Sequence, residues 1–374
     1  MNSQYTLLAP GPVQVPPEVL EELAKPVIHH RTPEFTSILS RVLDKLQRVF
    51  LTDQPVLILP STGSGAMEAA LVNTLKVGDE IIIVDSGKFG ERWVKMAKLF
   101  GCKPIVVSVP WGQTVKVSDL EAVVTENTKA LFCQAVETST AVLHPIEDVC
   151  KWCHEKNILS VIDAISALGS CELKMDDWKI DVLVSGSQKA FMIPTGLAFI
   201  SLSQKAWKAQ SESDIPKFYF DLKQELKANE KGQTFFSSSV SLIRALDVAL
   251  KYFEGDGLKK INKRSLDLQM ATVEFFKSLG LEIYSSCPSL TAVTVPANVN
   301  GDLLRAKIEK EYNVTFMGGQ DQLKGKIIRI GHIGYIKPGD LYKGLDAFTK
   351  TLLDMGYAID SSSLKRALEA IREI

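Results

Sequence analysis

The chain lacks several things, and each absence narrows the reading. It has no long apolar run: the longest uncharged stretch, Ala190 to Gln204, is interrupted by Pro194, Gly196 and hydroxyl residues. That falls short of the roughly 18 residues a membrane span needs, so no membrane partner is expected. The first residues, MNSQYTLLAPGP, have no basic segment leading into an apolar one, so no secretory signal is expected and a cytoplasmic location follows. Neither charge sign dominates. Lys and Arg number 43 against 44 Asp and Glu, a formal net charge of −1, which argues against a nucleic-acid partner. Gly and Pro, 24 and 16 of 374 residues, are too few for a low-complexity chain. Six cysteines are too sparse for a disulfide scaffold. No internal repeat or heptad array is present.

What remains is an ordinary globular composition, 45% hydrophobic and 23% charged. At roughly 100–200 residues per domain the length suggests two domains. Cys150-Lys151-Trp152-Cys153-His154 matches the pattern of haem attachment and half a zinc site. No export signal and no further ligands accompany it. Ile146, Val149, Cys150 and Cys153 fall at helical spacing, so the cysteines read as helix residues and no metal is expected.

Short apolar runs alternate with helical patterns. Strands are predicted at 56–59, 80–85, 104–110, 130–134, 159–162, 181–185 and 197–201. Helices are predicted at 66–75, 91–100 and 146–156. This alternation predicts a mostly parallel seven-stranded α/β sheet covered on both faces. The short step between the sixth and seventh strands suggests one antiparallel member. Beyond a helix at 240–253 and a break at Glu254-Gly255-Asp256-Gly257, the pattern turns α+β. Helices are expected at 258–279, at 301–311 and from 339, with strands near 281–284, 291–295 and 327–330. The expected division is an N-terminal arm (1–14), a large domain (15–256) and a small C-terminal domain (257–374).

In such sheets chemistry gathers at the carboxyl ends of the strands. After the first strand, Pro60-Ser61-Thr62-Gly63-Ser64-Gly65-Ala66 leads into a helix, a setting that suits an anion. It is neither a Walker loop nor G-x-G-x-x-G, and a plain turn would look similar. After the fifth strand sits Asp163, which must be solvated, paired or used. It could equally cap a helix. After the sixth comes Lys189, in Ser185-Gly186-Ser187-Gln188-Lys189-Ala190-Phe191. A desolvated amine there has a lowered pKa and becomes a Schiff-base nucleophile. A phosphate cup, an acid for a ring nitrogen and a lysine for an aldehyde together make up a pyridoxal phosphate site.

LLAPGPVQVPPEVLEEL, HHRTPEF, STGSGAMEAALVNTL, DSGKFGERW, VETSTAVLHPIEDV, VIDAISALGS, VSGSQKAFMIPTGLAFISLS and IIRIGHIG run in order along most of the chain. They resemble the class V aminotransferases of fold type I, especially the alanine–glyoxylate and serine–pyruvate type. The resemblance implies that Lys189 forms an aldimine with pyridoxal 5'-phosphate and then moves the proton of the substrate Cα. It implies that Asp163 pairs with the ring nitrogen and that Phe89 stacks on the ring. Ser64, Gly65, the Ala66 amide and Gln188 would hold the phosphate. Some relatives have His where Ala66 stands. Ser139 would position Asp163 or the cofactor hydroxyl. Thr234 and Ser237 would serve the phosphate of a neighbouring subunit, in a homodimer with shared sites, with Ser237-Ser238 standing where relatives often have Thr-Pro. Arg329 would fork onto the substrate carboxylate, and Gly11 would bring backbone to the substrate mouth, the arm reaching across the dimer. The implied reaction is ping-pong transfer of an amino group from alanine or serine to glyoxylate or pyruvate. Two alternatives stand beside it: a lyase of cysteine desulfurase type, for which Cys287 is the only late cysteine, and a non-catalytic subunit that keeps the fold.

Overall fold

A computed structural model describes residues 5–360. Its centre is a seven-stranded sheet in the order Val56–Leu59, Ala198–Leu202, Val182–Gly186, Leu159–Asp163, Thr128–Gln134, Glu80–Asp85, Lys103–Ser108. Ala198–Leu202 runs antiparallel to both of its neighbours, and the other pairings are parallel. The five strands from Val56–Leu59 to Thr128–Gln134 are buried almost throughout, as expected of strands covered on both faces. One face packs on Phe35, Leu39, Trp152 and Leu246, the other on Met67, Leu71 and Trp93.

Two helices begin earlier than their apolar pattern suggests. Gly63–Thr74 starts three residues before the predicted Ala66, and Lys88–Leu99 three before Glu91. The first turns, Gly63-Ser64-Gly65 and Lys88-Phe89-Gly90, hold glycines and polar residues with a single aromatic, Phe89, so they carry no apolar periodicity. The helix predicted over 240–253 is α-helical only to Ala249 and tightens to a 3-10 turn at Leu250–Phe253. Helix Pro33–Phe50, which the sequence reading did not predict, buries Phe35, Leu39, Val42 and Leu46.

Beyond residue 256 the helices Gly257–Ser278, Gly301–Tyr312 and Pro338–Asp354 cover an antiparallel sheet ordered Ile283–Cys287, Leu290–Thr294, Ile327–Gly331, Met317–Gly318. Its core holds Phe275, Phe276, Phe316 and Phe348, and Leu8 is part of it. The N-terminal segment is therefore anchored. Thr6–Leu7 pairs parallel with Val314–Thr315, and Gly331 N donates to Leu8 O at 2.7 Å. In this structure residues 6–8 lie against their own chain, and residues 1–4 of the expected arm lie outside the described residues. Residues 361–374 of the expected small domain lie outside the described residues.

Candidate active site

Lys189 follows strand Val182–Gly186 in a loop fixed by Ser187. The Ser187 N–H donates to Leu197 O, its Oγ donates to Pro194 O, and Leu197 N donates to that Oγ. The loop turns Lys189 inward, where it is only 8% exposed and its Nζ donates to Pro10 O at 2.5 Å. Gly11 makes this approach available. Its φ of +131° favours glycine, and a Cβ there would lie 2.5 Å from Nζ. Burial drives the ammonium pKa down to about 8; Asp163 opposes the shift, while Arg329 and Arg92 add to it.

Asp163 ends its strand fully buried, its Oδ1 accepting from Ile165 N at 2.9 Å. Burial pushes this carboxyl up to about 6, against the pull of that bond and with some help from Glu137. Arg329 projects from Ile327–Gly331 and spends its donors on carbonyls. Nη1 reaches Thr138 O at 2.7 Å, and Nε and Nη2 reach Gly318 O at 3.0 and 2.8 Å. Among the described residues no carboxylate forms an ion pair with it, so a buried cation is left for an anionic ligand. Burial lowers its pKa to about 10.

The Pro60–Ala66 stretch is a helix start. Thr62 stands extended before helix Gly63–Thr74 and does not cap it with its side chain. A Cβ on Gly65 would lie 1.9 Å from Ser61 Oγ and 2.8 Å from Ser61 Cβ, so Ser61 would have to move to admit a side chain there. A Cβ on Gly186 would lie 3.2 Å from Gln188 Oε1 and 3.5 Å from Gly63 N, which places that amide and that N–H beside one small space. Gln188 Oε1 is buried without a partner. Ala66 is wholly buried in the core, so only its backbone could serve an anion. Phe89 is half-buried on the first turn of Lys88–Leu99, with the Arg92 guanidinium 4.9 Å from its ring centre.

Ser139, expected to position Asp163 or the cofactor hydroxyl, donates from both N and Oγ to Glu137 Oε1. Glu137 is the residue the sequence reading missed. Buried, it accepts at Oε2 from Phe89 N, Gly90 N and Gln134 Nε2 at 3.1, 3.2 and 3.1 Å. Burial holds its carboxyl above the usual range despite these bonds. The chain continues inward: Gln134 Nε2 donates to Ser86 Oγ, which lies 2.8 Å from His144 Nε2. Val115 N donates to His144 Nδ1, so Nε2 carries the proton of the neutral ring, whose pKa burial drops to about 4. Glu137 lies just past strand Thr128–Gln134, and its place at the carboxyl end of a buried strand is the signal that could have found it. Arg92, also missed, donates to Ser64 Oγ at 2.8 Å.

Thr234 and Ser237 are not drawn into this cluster. Thr234 Oγ1 donates to Phe236 O within its own loop, and Ser237 is exposed. Cys150 and Cys153 lie buried in helix Ile146–Glu155 with His154 turned outward, as helix residues should. Cys287 ends a strand, and burial pushes its thiol up to about 12.

The sheet and the buried lysine and aspartate at its strand ends define a class, the α/β fold of the pyridoxal-phosphate-dependent aminotransferases. The family description Aminotransferase class-V matches residues 6–323, and the chain belongs to that family, whose members act on amino and oxo acids with pyridoxal phosphate. The solved ureidoglycine–glyoxylate aminotransferase of Bacillus subtilis is 25% identical. It covers all of this chain and 99% of its own, with a TM-score of 0.94. The alanine–glyoxylate aminotransferase of Nostoc sp. is 26% identical over 94% of this chain and 96% of its own, with a TM-score of 0.89. The soluble hydrogenase small subunit of Synechococcus sp. (strain PCC 6716) is 38% identical over 96% of this chain and 95% of its own. Among the described residues no helix is long and apolar enough to cross a membrane.

Proposed function

We propose that this chain moves an amino group from a small amino acid, alanine or serine, to glyoxylate or pyruvate. It would do so in two half-reactions of ping-pong type, as a cytoplasmic homodimer. The observation that carries this reading is the buried Lys189, its ammonium pKa brought to about 8, lying in the same buried site as the Asp163 carboxyl and the Arg329 guanidinium. The residues fit pyridoxal phosphate: the orphaned Gln188 Oε1 and the uncapped helix start suit its phosphate, and Asp163 suits its ring nitrogen. Bound there, the cofactor supplies an aldehyde for the amine and a ring that takes up electrons from the substrate Cα.

The chain's residues then divide the work. Lys189 Nζ would hold the cofactor and move the proton of the substrate Cα. Asp163 would keep a proton on the ring nitrogen, and Phe89 would stack on the ring. Ser64, the Gly65 and Ala66 amides and Gln188 would bind the phosphate, and Thr234 with Ser237 would serve the partner's phosphate. Ser139 acts through Glu137, which fixes the first turn carrying Phe89. Arg329 and the Gly11 backbone orient the substrate carboxylate. The names of the Bacillus and Nostoc relatives share glyoxylate as acceptor and differ in donor, which supports the acceptor more firmly than the donor.

A lyase of cysteine desulfurase type would need a reactive cysteine, and the buried, protonated Cys287 is a poor candidate. A subunit without catalysis is the other alternative; the buried Lys189, Asp163 and Arg329 favour an enzyme over it. The test is a panel of amino acids followed by loss of the bound cofactor's visible absorbance, with glyoxylate and pyruvate for the return. Alanine or serine should bleach fastest and glyoxylate should restore the colour. Bleaching by neither donor would overturn the substrate assignment.

A further inference from the structure

Helix Lys88–Leu99 carries five charged side chains: Lys88, Glu91, Arg92, Lys95 and Lys98. Lys88 and Lys95 both pair with Glu91, and Lys88 also pairs with Asp321. Arg92 does none of this. It turns from its neighbours towards the strand ends, donates from Nη1 to Ser64 Oγ at 2.8 Å and lays its guanidinium over Phe89. Among the described residues no carboxylate forms an ion pair with it. Ser64 is the second residue of the helix whose first turn faces Gln188 and Gly186. Accepting from Arg92 leaves the Ser64 hydroxyl proton free to donate to an anion. The Ala66 side chain adds nothing to that space, so the cup otherwise offers only neutral donors and a helix end. Arg92's charge acts on both Lys189 and Asp163, which places it within range of the site's centre.

We propose that Arg92 binds the cofactor's phosphate, docked on Ser64 and braced on Phe89, and supplies the cationic side chain of the cup. This rests on the reading of the site as one for pyridoxal phosphate. Its consequence is that one residue ties the ring clamp to the phosphate cup, so that the phosphorylated cofactor is selected over its unphosphorylated form.

The experiment compares pyridoxal phosphate with pyridoxal, each titrated into cofactor-free protein and followed by visible absorbance. Arg92→Met should weaken pyridoxal phosphate about ten- to hundredfold, the loss of a charge-assisted contact, and change pyridoxal less than about threefold. Arg92→Lys, which keeps the charge, should retain most of the discrimination and serves if the methionine variant does not fold. Equal weakening of both ligands would show that Arg92 acts only through Phe89 and would overturn the proposal. So would unchanged affinity for both, or a lysine variant that discriminates no better than the methionine one. Failure of the wild-type protein to bind either ligand would instead remove the cofactor reading itself.

Discussion

Glu137 offers the sharpest structural prediction. Its two oxygens accept from three backbone N–H groups, those of Phe89, Gly90 and Ser139, besides Ser139 Oγ and Gln134 Nε2. A side chain on Gly87 would strike it, with a Cβ 2.6 Å from Glu137 Cδ, so the local backbone is built around this carboxylate. Glu137→Ala orphans the three N–H groups. At about 1–3 kcal/mol each, reduced by relief of a buried carboxylate and by entry of water, the expected loss is roughly 3–5 kcal/mol. Glu137→Gln can keep an oxygen where Oε2 stands and turn its amide towards Ser139, whose hydroxyl can rotate to accept. Only the Ser139 N–H bond is then lost, and the expected cost is about 1–2 kcal/mol. Urea denaturation of the cofactor-free protein measures both, read from midpoints at unchanged slope. The alanine variant should also bind pyridoxal phosphate more weakly, because the turn that holds Phe89 is released. An alanine variant within about 1 kcal/mol of wild type would refute the claim that this carboxylate holds the first turn of the helix.

Three further outcomes concern the lysine pocket. Capture of an aldehyde needs neutral Lys189, so with a pKa near 8 the rate of cofactor uptake should rise about tenfold per pH unit up to that value and level off above it. A rate still climbing at about pH 10 would mean an unshifted lysine. The linked effect on folding has a fixed sign. A lysine depressed in the folded state contributes stability that is present above its unfolded pKa and lost as pH falls through 8, so Lys189→Met should flatten that part of the cofactor-free stability curve. Gly11→Ala should displace Lys189 from Pro10 O and slow cofactor uptake, with a stability loss of about 1–3 kcal/mol measured by denaturation. An alanine variant with wild-type uptake would contradict the close approach.

The strand ends were legible because buried parallel strands show as unbroken apolar runs, and a polar residue just beyond such a run is conspicuous. Asp163 and Lys189 stood out for that reason, and the antiparallel seventh strand was evident from its short connection. Glu137 and Arg92 did not stand out. A glutamate in the two-residue strand Val136–Glu137, too short to show a pattern, and an arginine among Lys88, Glu91 and Lys95 look like solvated charges, and tertiary packing shows one buried and the other turned inward. The helix starts at Gly63 and Lys88 were hidden because a first turn devoted to a site carries no apolar periodicity. The pairing of Thr6–Leu7 with Val314–Thr315 joins segments some 300 residues apart in the chain, and no local pattern encodes it.

The central claim is that Lys189 is the residue that holds pyridoxal phosphate. Borohydride reduction of the purified, reconstituted protein followed by peptide mass mapping tests it most directly. The account predicts a yellow protein whose reduced adduct maps to Lys189 and disappears in Lys189→Ala. An adduct on another lysine, or a wild-type protein that takes up no cofactor, would contradict it.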